Sequence, residues 1–207
     1  MSDLENVRVV KVGGSLLSSS GLGQRIKGWR ERQPPVPTVW VVGGGKLVDV
    51  VRDWDAIHSK QTATAEEAAH WMSVDLMSVT ARMFATLVGS WPIELSLESL
   101  QEQFRAGSQN VIFDCGRWLR TVDDLPCSWS VTSDSIAGRL AIELSCHELV
   151  LLKSRAAAGE TVEENAAQGV IDEHFVELDR DFQVTLVNLN RGGTCLLYTS
   201  PSPRDRG

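Results

Sequence analysis

Short apolar runs rich in β-branched side chains punctuate the chain at Val9–Val12, Thr38–Val42, Leu149–Leu152 and Gln183–Leu189. The first three are near-continuous rather than alternating, as strands buried on both faces of a parallel sheet are, and Gln183–Leu189 reads as a final strand. The first carries Lys11 near its end and stops at Gly13-Gly14-Ser15, a tight turn expected to open a helix. A helix over Gly21–Arg32 follows, stopped by Pro34-Pro35-Val36-Pro37 because proline cannot continue a helix and restricts the residue before it. The second run stops at Gly43-Gly44-Gly45 and leads into a helix over Lys46–Ala56. This strand–turn–helix alternation predicts an α/β fold with a parallel sheet and helices on its faces. The ligand crevice of such a sheet lies at the C-terminal strand edges, where both glycine turns fall.

The longest helical pattern spans Thr64–Val88. Thr64 and Glu67 have the spacing of a capping box. Ala68, Trp71, Met72, Leu76, Val79 and Met83 recur at helical spacing and are expected to be buried, with the methionines as core filler. Pro92–Leu95 and Val111–Asp114 read as strands around a helix at Leu97–Phe104. Asp123-Asp124-Leu125-Pro126 is the best candidate boundary, dividing an N-terminal lobe (1–126) from a C-terminal one (127–194). Beyond it, Thr132-Ser133-Asp134-Ser135 caps an amphipathic helix running to about Cys146. The strand Leu149–Leu152 is closed by Lys153, and Gly169–Phe175 reads as a short turn element. Residues 195–207, beginning Cys195-Leu196-Leu197-Tyr198, read as a translated sequencing adapter, with a natural disordered tail as the alternative. The native C-terminus is therefore expected to be absent.

Composition narrows the function. With 207 residues the chain is long enough for a sizeable core, and a net charge of −7 argues against nucleic-acid binding by general electrostatics. No apolar run approaches the roughly 18 residues of a membrane span. The start, Met1-Ser2-Asp3-Leu4-Glu5, is acidic and unlike a signal peptide. Cys115, Cys127, Cys146 and Cys195 are scattered and read as reduced thiols, so a cytoplasmic location is expected.

Generic motifs mostly fail. Gly43-Gly44-Gly45-Lys46-Leu47 lacks the spacing of a Walker A loop, and Val48 stands where a dinucleotide fingerprint needs its third glycine. His58, His70, His147 and His174 show no metal-ligand spacing, and no serine sits in a nucleophile elbow. What survives is a constellation: Lys11 and Lys153 at predicted strand ends, two glycine turns at the same edge, and Asp134 at a helix N-terminus. Glycine N–H groups and lysines held by an aspartate suit anion handling, phosphate first.

In the order Lys11-x-Gly13-Gly14-Ser15, Gly43-Gly44-Gly45, Thr132-Ser133-Asp134-x-x-Ala137, Leu149–Lys153, the chain resembles the amino acid kinase superfamily of acetylglutamate kinase, aspartokinase and bacterial uridylate kinase. The resemblance implies a three-layer αβα sandwich around a mainly parallel sheet, with an N-terminal acceptor lobe and a C-terminal nucleotide lobe. It implies ATP and Mg2+ as cofactors, no resident protein metal site, and a homo-oligomer. By the same resemblance Lys11, Asp134 and Lys153 are catalytic. Lys11, Gly13, Gly14, Ser15, Thr132, Ser133 and Lys153 would bind nucleotide, and Gly43, Gly44 and Gly45 the acceptor. Ala69-His70-Trp71-Met72 and Trp129–Ser135 are similar to the small methanofuran-biosynthesis branch, whose acceptor is aminomethylfuran methyl phosphate. There Arg52 and His70 would be acceptor contacts. One departure stands out: Ser154-Arg155 replaces the Asp-Gly usual after the second lysine. That departure motivates a catalytically inactive nucleotide or small-molecule sensor as the alternative to a kinase, with a dinucleotide-dependent oxidoreductase third.

Overall fold

The computed structural model describes residues 7–60, 64–89, 91–122, 124–191 and 195–198. Asp123, in the boundary read from sequence, and 199–207, in the adapter-like segment, lie outside the described residues. A single sheet runs through the molecule in the order β3-β4-β2-β1-β5-β6-β7. At its centre is β1 (Arg8–Val12), flanked by β2 (Thr38–Val42) and β5 (Glu148–Lys153), with every residue of β1 and β2 buried. Beyond these lie β4 (Asn110–Phe113) and β3 (Ile93–Glu94) on one side and β6 (Gln183–Asn188) on the other. All six are parallel to their neighbours. Only β7 (Cys195–Tyr198), the start of the adapter-like segment, runs antiparallel, on the free edge of β6.

The helices cover both faces, giving the three-layer α/β sandwich. They are α1 (Leu22–Glu31), α2 (Lys46–His58), α3 (Ala65–Val88), α4 (Leu97–Arg105), α5 (Cys115–Leu119), α6 (Ser133–Glu143) and α7 (Val162–Ala167). One core joins Val9, Val41, Leu149 and Leu151 to α6 through Ala137, Leu140 and Ala141. The other joins Val10, Val12 and Trp40 to Ile26 and Trp29 of α1 and to Phe84 of α3. In the second, Trp40 meets Trp29 edge-on at 5.9 Å and Trp91 at 4.9 Å between ring centroids. Its indole N–H is satisfied by Asn110 Oδ1 at 3.2 Å. Among the described residues no helix is long and apolar enough to cross a membrane, and Cys115, Cys127 and Cys146 are free thiols.

Several local expectations fail for identifiable reasons. The turn after β1 leads into a short 3-10 segment, Gly14–Ser18, rather than directly into an α-helix, while the helix expected over Gly21–Arg32 forms as Leu22–Glu31. Thr64 precedes α3 with ψ 4° and makes no side-chain cap. A capping box forms instead at Thr161 and Glu164, opening α7, an element the sequence pattern missed together with α5.

The largest correction concerns α3. Its buried face is Ala69, His70, Val74, Met77, Ala81, Phe84 and Val88, whereas Ala68, Met72, Val79 and Met83 are exposed. The helix carries apolar stripes on opposite sides, so its period marks a helix without fixing which side meets the core. The sheet takes the stripe in which Val74 and Met77 join one core and Ala81, Phe84 and Val88 the other.

The two glycine turns lie back to back. A Cβ on Gly14 would stand 2.1 Å from the Gly45 amide nitrogen and 2.6 Å from the Gly43 carbonyl oxygen. Gly45 itself has φ +57°, ψ −145°, a conformation open essentially only to glycine. Replacing Gly14 with alanine should therefore cost about 3 kcal/mol, because backbone must move. Gly28→Ala, at a helix-interior position whose nearest neighbour is 3.6 Å away on a flexible arginine, should gain about 0.5–1 kcal/mol. Urea unfolding of the two variants measures both.

Candidate active site

The register of the central strands determines where the lysines go. Lys11 lies opposite Leu151, and Lys153 follows two residues later on the same strand. Strand alternation therefore sends both side chains to the face on which α6 packs. The first turn of α6 meets them there with Asp134. Lys153 Nζ donates to Asp134 Oδ2 at 2.5 Å, and Lys11 Nζ lies 2.9 Å from Asp134 Oδ1. The Lys11 contact is an ion pair short of an aligned hydrogen bond. All three residues are buried, with 9% exposure at most.

Two ammonium groups share one carboxylate, leaving a surplus positive charge in a place poor in water. Burial alone would raise the Asp134 pKa, but the charges of Lys11 and Lys153 outweigh it and hold the carboxyl at about 2. For Lys153, burial and the like charge of Lys11 overcome the attraction of Asp134 and bring its ammonium down to about 8.

Two cavities flank this cluster. The first, of about 400 Å³, is lined by Ser15, Gly44, Gly45, Lys46, Arg52, His70, Thr132 and Ser133, with an apolar wall that includes Val48, Val74, Met77 and Ile136. The helix α2 opens onto it with no side-chain cap; the Val48 amide donates to Gly45 O at 3.0 Å, and the amides ahead of it are the ones an anion could meet. His70 is held below its ordinary pKa by burial and then by Arg120, so it is neutral at pH 7. The second cavity, of about 630 Å³, is lined by Lys11, Asp134, Lys153 and the segment Gly169–Glu173. Trp129 and Thr132 belong to both cavities.

The structure thus brings Lys11, Asp134 and Lys153 into contact and puts Ser15, Gly44, Gly45, Arg52, His70, Thr132 and Ser133 around one cavity. Ser133 stands on the first cavity's side, its Oγ 2.6 Å from where a Cβ on Gly43 would be. Gly13, Gly14 and Gly43 are engaged elsewhere. The Gly13 amide donates to Leu152 O and the Gly43 amide to Val12 O, while Gly14 packs on the Gly43–Gly45 turn. The small size of Gly14 and Gly43 serves turn-to-turn packing, and that of Gly13 the close approach of β5, where a Cβ would stand 2.9 Å from Leu152 O.

Trp129 was not legible as a site residue. Its indole donates to Asp55 Oδ2 at 2.7 Å, and the Arg52 guanidinium sits 4.8 Å from its ring. Asp55, an acidic residue one turn beyond Val51 on the inward face of α2, is the one signal that would have pointed to such a partner. Among the described residues no group of three or more His, Cys, Asp or Glu side chains has the arrangement of a metal site.

No protein-family model and no curated protein matches the sequence. Solved structures do match in fold. UMP kinase from Ureaplasma parvum is 14% identical with a TM-score of 0.62, over 91% of this chain and 92% of that one. Aspartate kinase from Synechocystis is 15% identical with a TM-score of 0.61, over 94% of this chain but 40% of that one. Uridylate kinase from Archaeoglobus fulgidus is 15% identical with a TM-score of 0.50, over 74% and 66%. The shared feature is the amino acid kinase-like fold.

Removing the shared carboxylate tests the cluster. Asp134→Asn leaves two buried ammonium groups facing each other and should cost about 3–5 kcal/mol at pH 6. With the carboxylate gone, the folded-state pKa of Lys153 falls further below its unfolded value. The variant then sheds a proton from its folded state earlier than the parent, so its deficit should shrink between about pH 6 and 8. Urea unfolding across that range reads both the size and the sign.

Proposed function

We propose that the chain is an ATP- and Mg2+-dependent small-molecule kinase that transfers a γ-phosphoryl group to a phosphate or carboxylate acceptor. The observation that carries this reading is the Lys11–Asp134–Lys153 cluster, whose surplus positive charge lies beside one cavity and near a second. Phosphoryl transfer asks a protein to position its reactants and to meet spreading negative charge, with little covalent work. Lys11 and Lys153 supply that charge, and Asp134 aims both and favours the protonated form of Lys153. The fold likeness to kinases favours the same reading by analogy alone.

The second cavity is assigned to the nucleotide and the first to the acceptor, with 1–126 as the main acceptor lobe and 127–194 as the main nucleotide lobe. On this assignment Ser133 serves the acceptor side, while Thr132 borders both. Lys46, Arg52 and the uncapped start of α2 would hold the acceptor's anionic group, with neutral His70 as a hydrogen-bonding neighbour. The apolar wall suits a compact, weakly polar body, and aminomethylfuran methyl phosphate is the acceptor we name first. Bound Mg2+ would neutralise phosphate charge and takes most of its ligands from phosphate and water, a demand that a site without a carboxylate cage meets. The exposed apolar stripes Leu47, Val50, Trp54 and Ile57 on α2 and Met72, Val79, Met83 and Leu87 on α3 support a homo-oligomer. We assign the protein to the cytoplasm, with no nucleic-acid or membrane partner.

ATP consumption with Mg2+ against aminomethylfuran phosphate, N-acetylglutamate, aspartate, UMP and isopentenyl phosphate tests the reading. Turnover is expected on the furan phosphate, and turnover on another member keeps the kinase and discards that acceptor. Bound ATP with silence across the panel would favour the sensor, for which the Ser154-Arg155 departure is the motive. In an active enzyme, Lys11→Ala should lower kcat about 1,000-fold with an unchanged circular dichroism spectrum. The rate should fall as pH rises through about 8, where Lys153 loses its charge. Near-parental kcat in Lys11→Ala would sink the mechanism.

A further inference from the structure

Asp172 lies in the wall of the second cavity, where neither the strand pattern nor the motifs drew attention to it. Its side chain accepts an unusual number of hydrogen bonds for a buried carboxylate. Thr132 donates to Oδ2 through both its amide (3.1 Å) and its hydroxyl (2.7 Å), and the Ser135 amide donates to the same oxygen at 2.9 Å. Oδ1 accepts from the Ser135 hydroxyl and from the Phe175 amide at 2.9 Å. Four of these five donors belong to the first turn of α6, the turn that carries Asp134. Thr132, while donating to Asp172, also accepts from the Asp134 amide at 3.5 Å as the helix N-cap.

The N-terminus of α6 is thus filled by an internal anion. The N-cap Thr132 amide, the Ser135 amide and the positive end of the helix dipole, which in many phosphate-binding folds face a ligand, here face Asp172. The carboxylate is far along the chain from the turn it holds, so the cavity wall at Gly169–Glu173 and the lysine-binding aspartate are joined through a single side chain. We propose that Asp172 is a positioning residue: by clamping Thr132 and Ser135 it fixes the first turn of α6, and so places Asp134 between Lys11 and Lys153. The assignment rests on the kinase reading only for its catalytic consequence, since the clamp itself is a property of the free protein.

Electrostatics add a second strand to the argument. Lys153 is surrounded by Asp134 from α6, Lys11 from β1 and Asp172 from the cavity wall, with Glu173 lining the same cavity. The negative charge of Asp172 helps to keep Lys153 protonated against burial and Lys11. Asp172 itself is raised above its ordinary pKa by burial and by Asp134, while its hydrogen bonds from Ser135 and Thr132 work the other way.

The test uses the full chain without nucleotide, comparing Asp172→Asn with Ser135→Ala. Asn keeps the shape and removes the charge, whereas Ser135→Ala removes one donor and leaves the charge in place. With 13Cε-labelled lysine, the Lys153 titration, identified by its loss in Lys153→Gln, should move down by about half a pH unit in Asp172→Asn. It should stay in place in Ser135→Ala. Amide exchange at Asp134 and Ser135 should speed up at least tenfold in Asp172→Asn and by less in Ser135→Ala. In turnover assays the Asp172→Asn alkaline limb should move down with the titration, kcat should fall about tenfold, and KM for ATP should stay within about twofold. A merely structural role would lower the melting temperature and leave the titration in place, and that result overturns the proposal. So does unchanged amide exchange, and if Asp172→Asn does not fold, unaltered exchange in Ser135→Ala overturns it alone. Because titration and exchange are read without substrate, their failure counts against the clamp. Absence of turnover with both shifts present counts against the kinase reading instead.

Discussion

Burying two ammonium groups with one carboxylate is the constraint around which the centre of this molecule is arranged. An isolated buried lysine would lose its proton, and an isolated buried aspartate would gain one. Neither happens to Asp134, because the central strand pair and the first turn of α6 converge on one point. Convergence needs β1 and β5 in parallel register and a helix that starts against their C-terminal ends. It also needs a cap that holds that start in place. Each is a backbone feature, so the charge cluster and the fold support one another: the scaffold makes the cluster tolerable, and the cluster gives that edge its chemistry.

The two glycine turns play a different part. Their lack of side chains first lets the chain ends of β1 and β2 pass in van der Waals contact, since any Cβ on Gly14 would enter the Gly43–Gly45 backbone. The same close approach sets the uncapped start of α2 at the mouth of the first cavity. Contact geometry separates neighbouring glycines: Gly44 and Gly45 line the first cavity, Gly14 packs on the facing turn, and Gly13 lies against the end of β5.

Much of this was legible in the sequence because it depends on short-range pattern. Continuous apolar runs gave the strands, glycine turns gave the edge, and Lys11, Asp134 and Lys153 fell at strand and helix ends whose meeting follows from parallel pairing. The failures come from tertiary choice. The period of α3 could not reveal which of its stripes the sheet would take, and the exposure of Met72, Val79 and Met83 follows from that choice. Thr64 had the right spacing for a capping box but not the backbone conformation. Asp172 and Trp129 were illegible for a simpler reason: their partners, Thr132 with Ser135 and Asp55, are dozens of residues away, and a lone Asp or Trp advertises no partner.

Trp129 has one more consequence. Its indole is tied to Asp55 on α2 while its ring borders both cavities. A wall shared by two cavities is a place where ligands could be coupled: if filling one cavity moves that ring and so changes the affinity of the other, the second ligand changes the affinity of the first by the same factor. Order of binding then cannot alter the total, and the coupling, unlike the affinity of either cavity alone, would be a property of the wall.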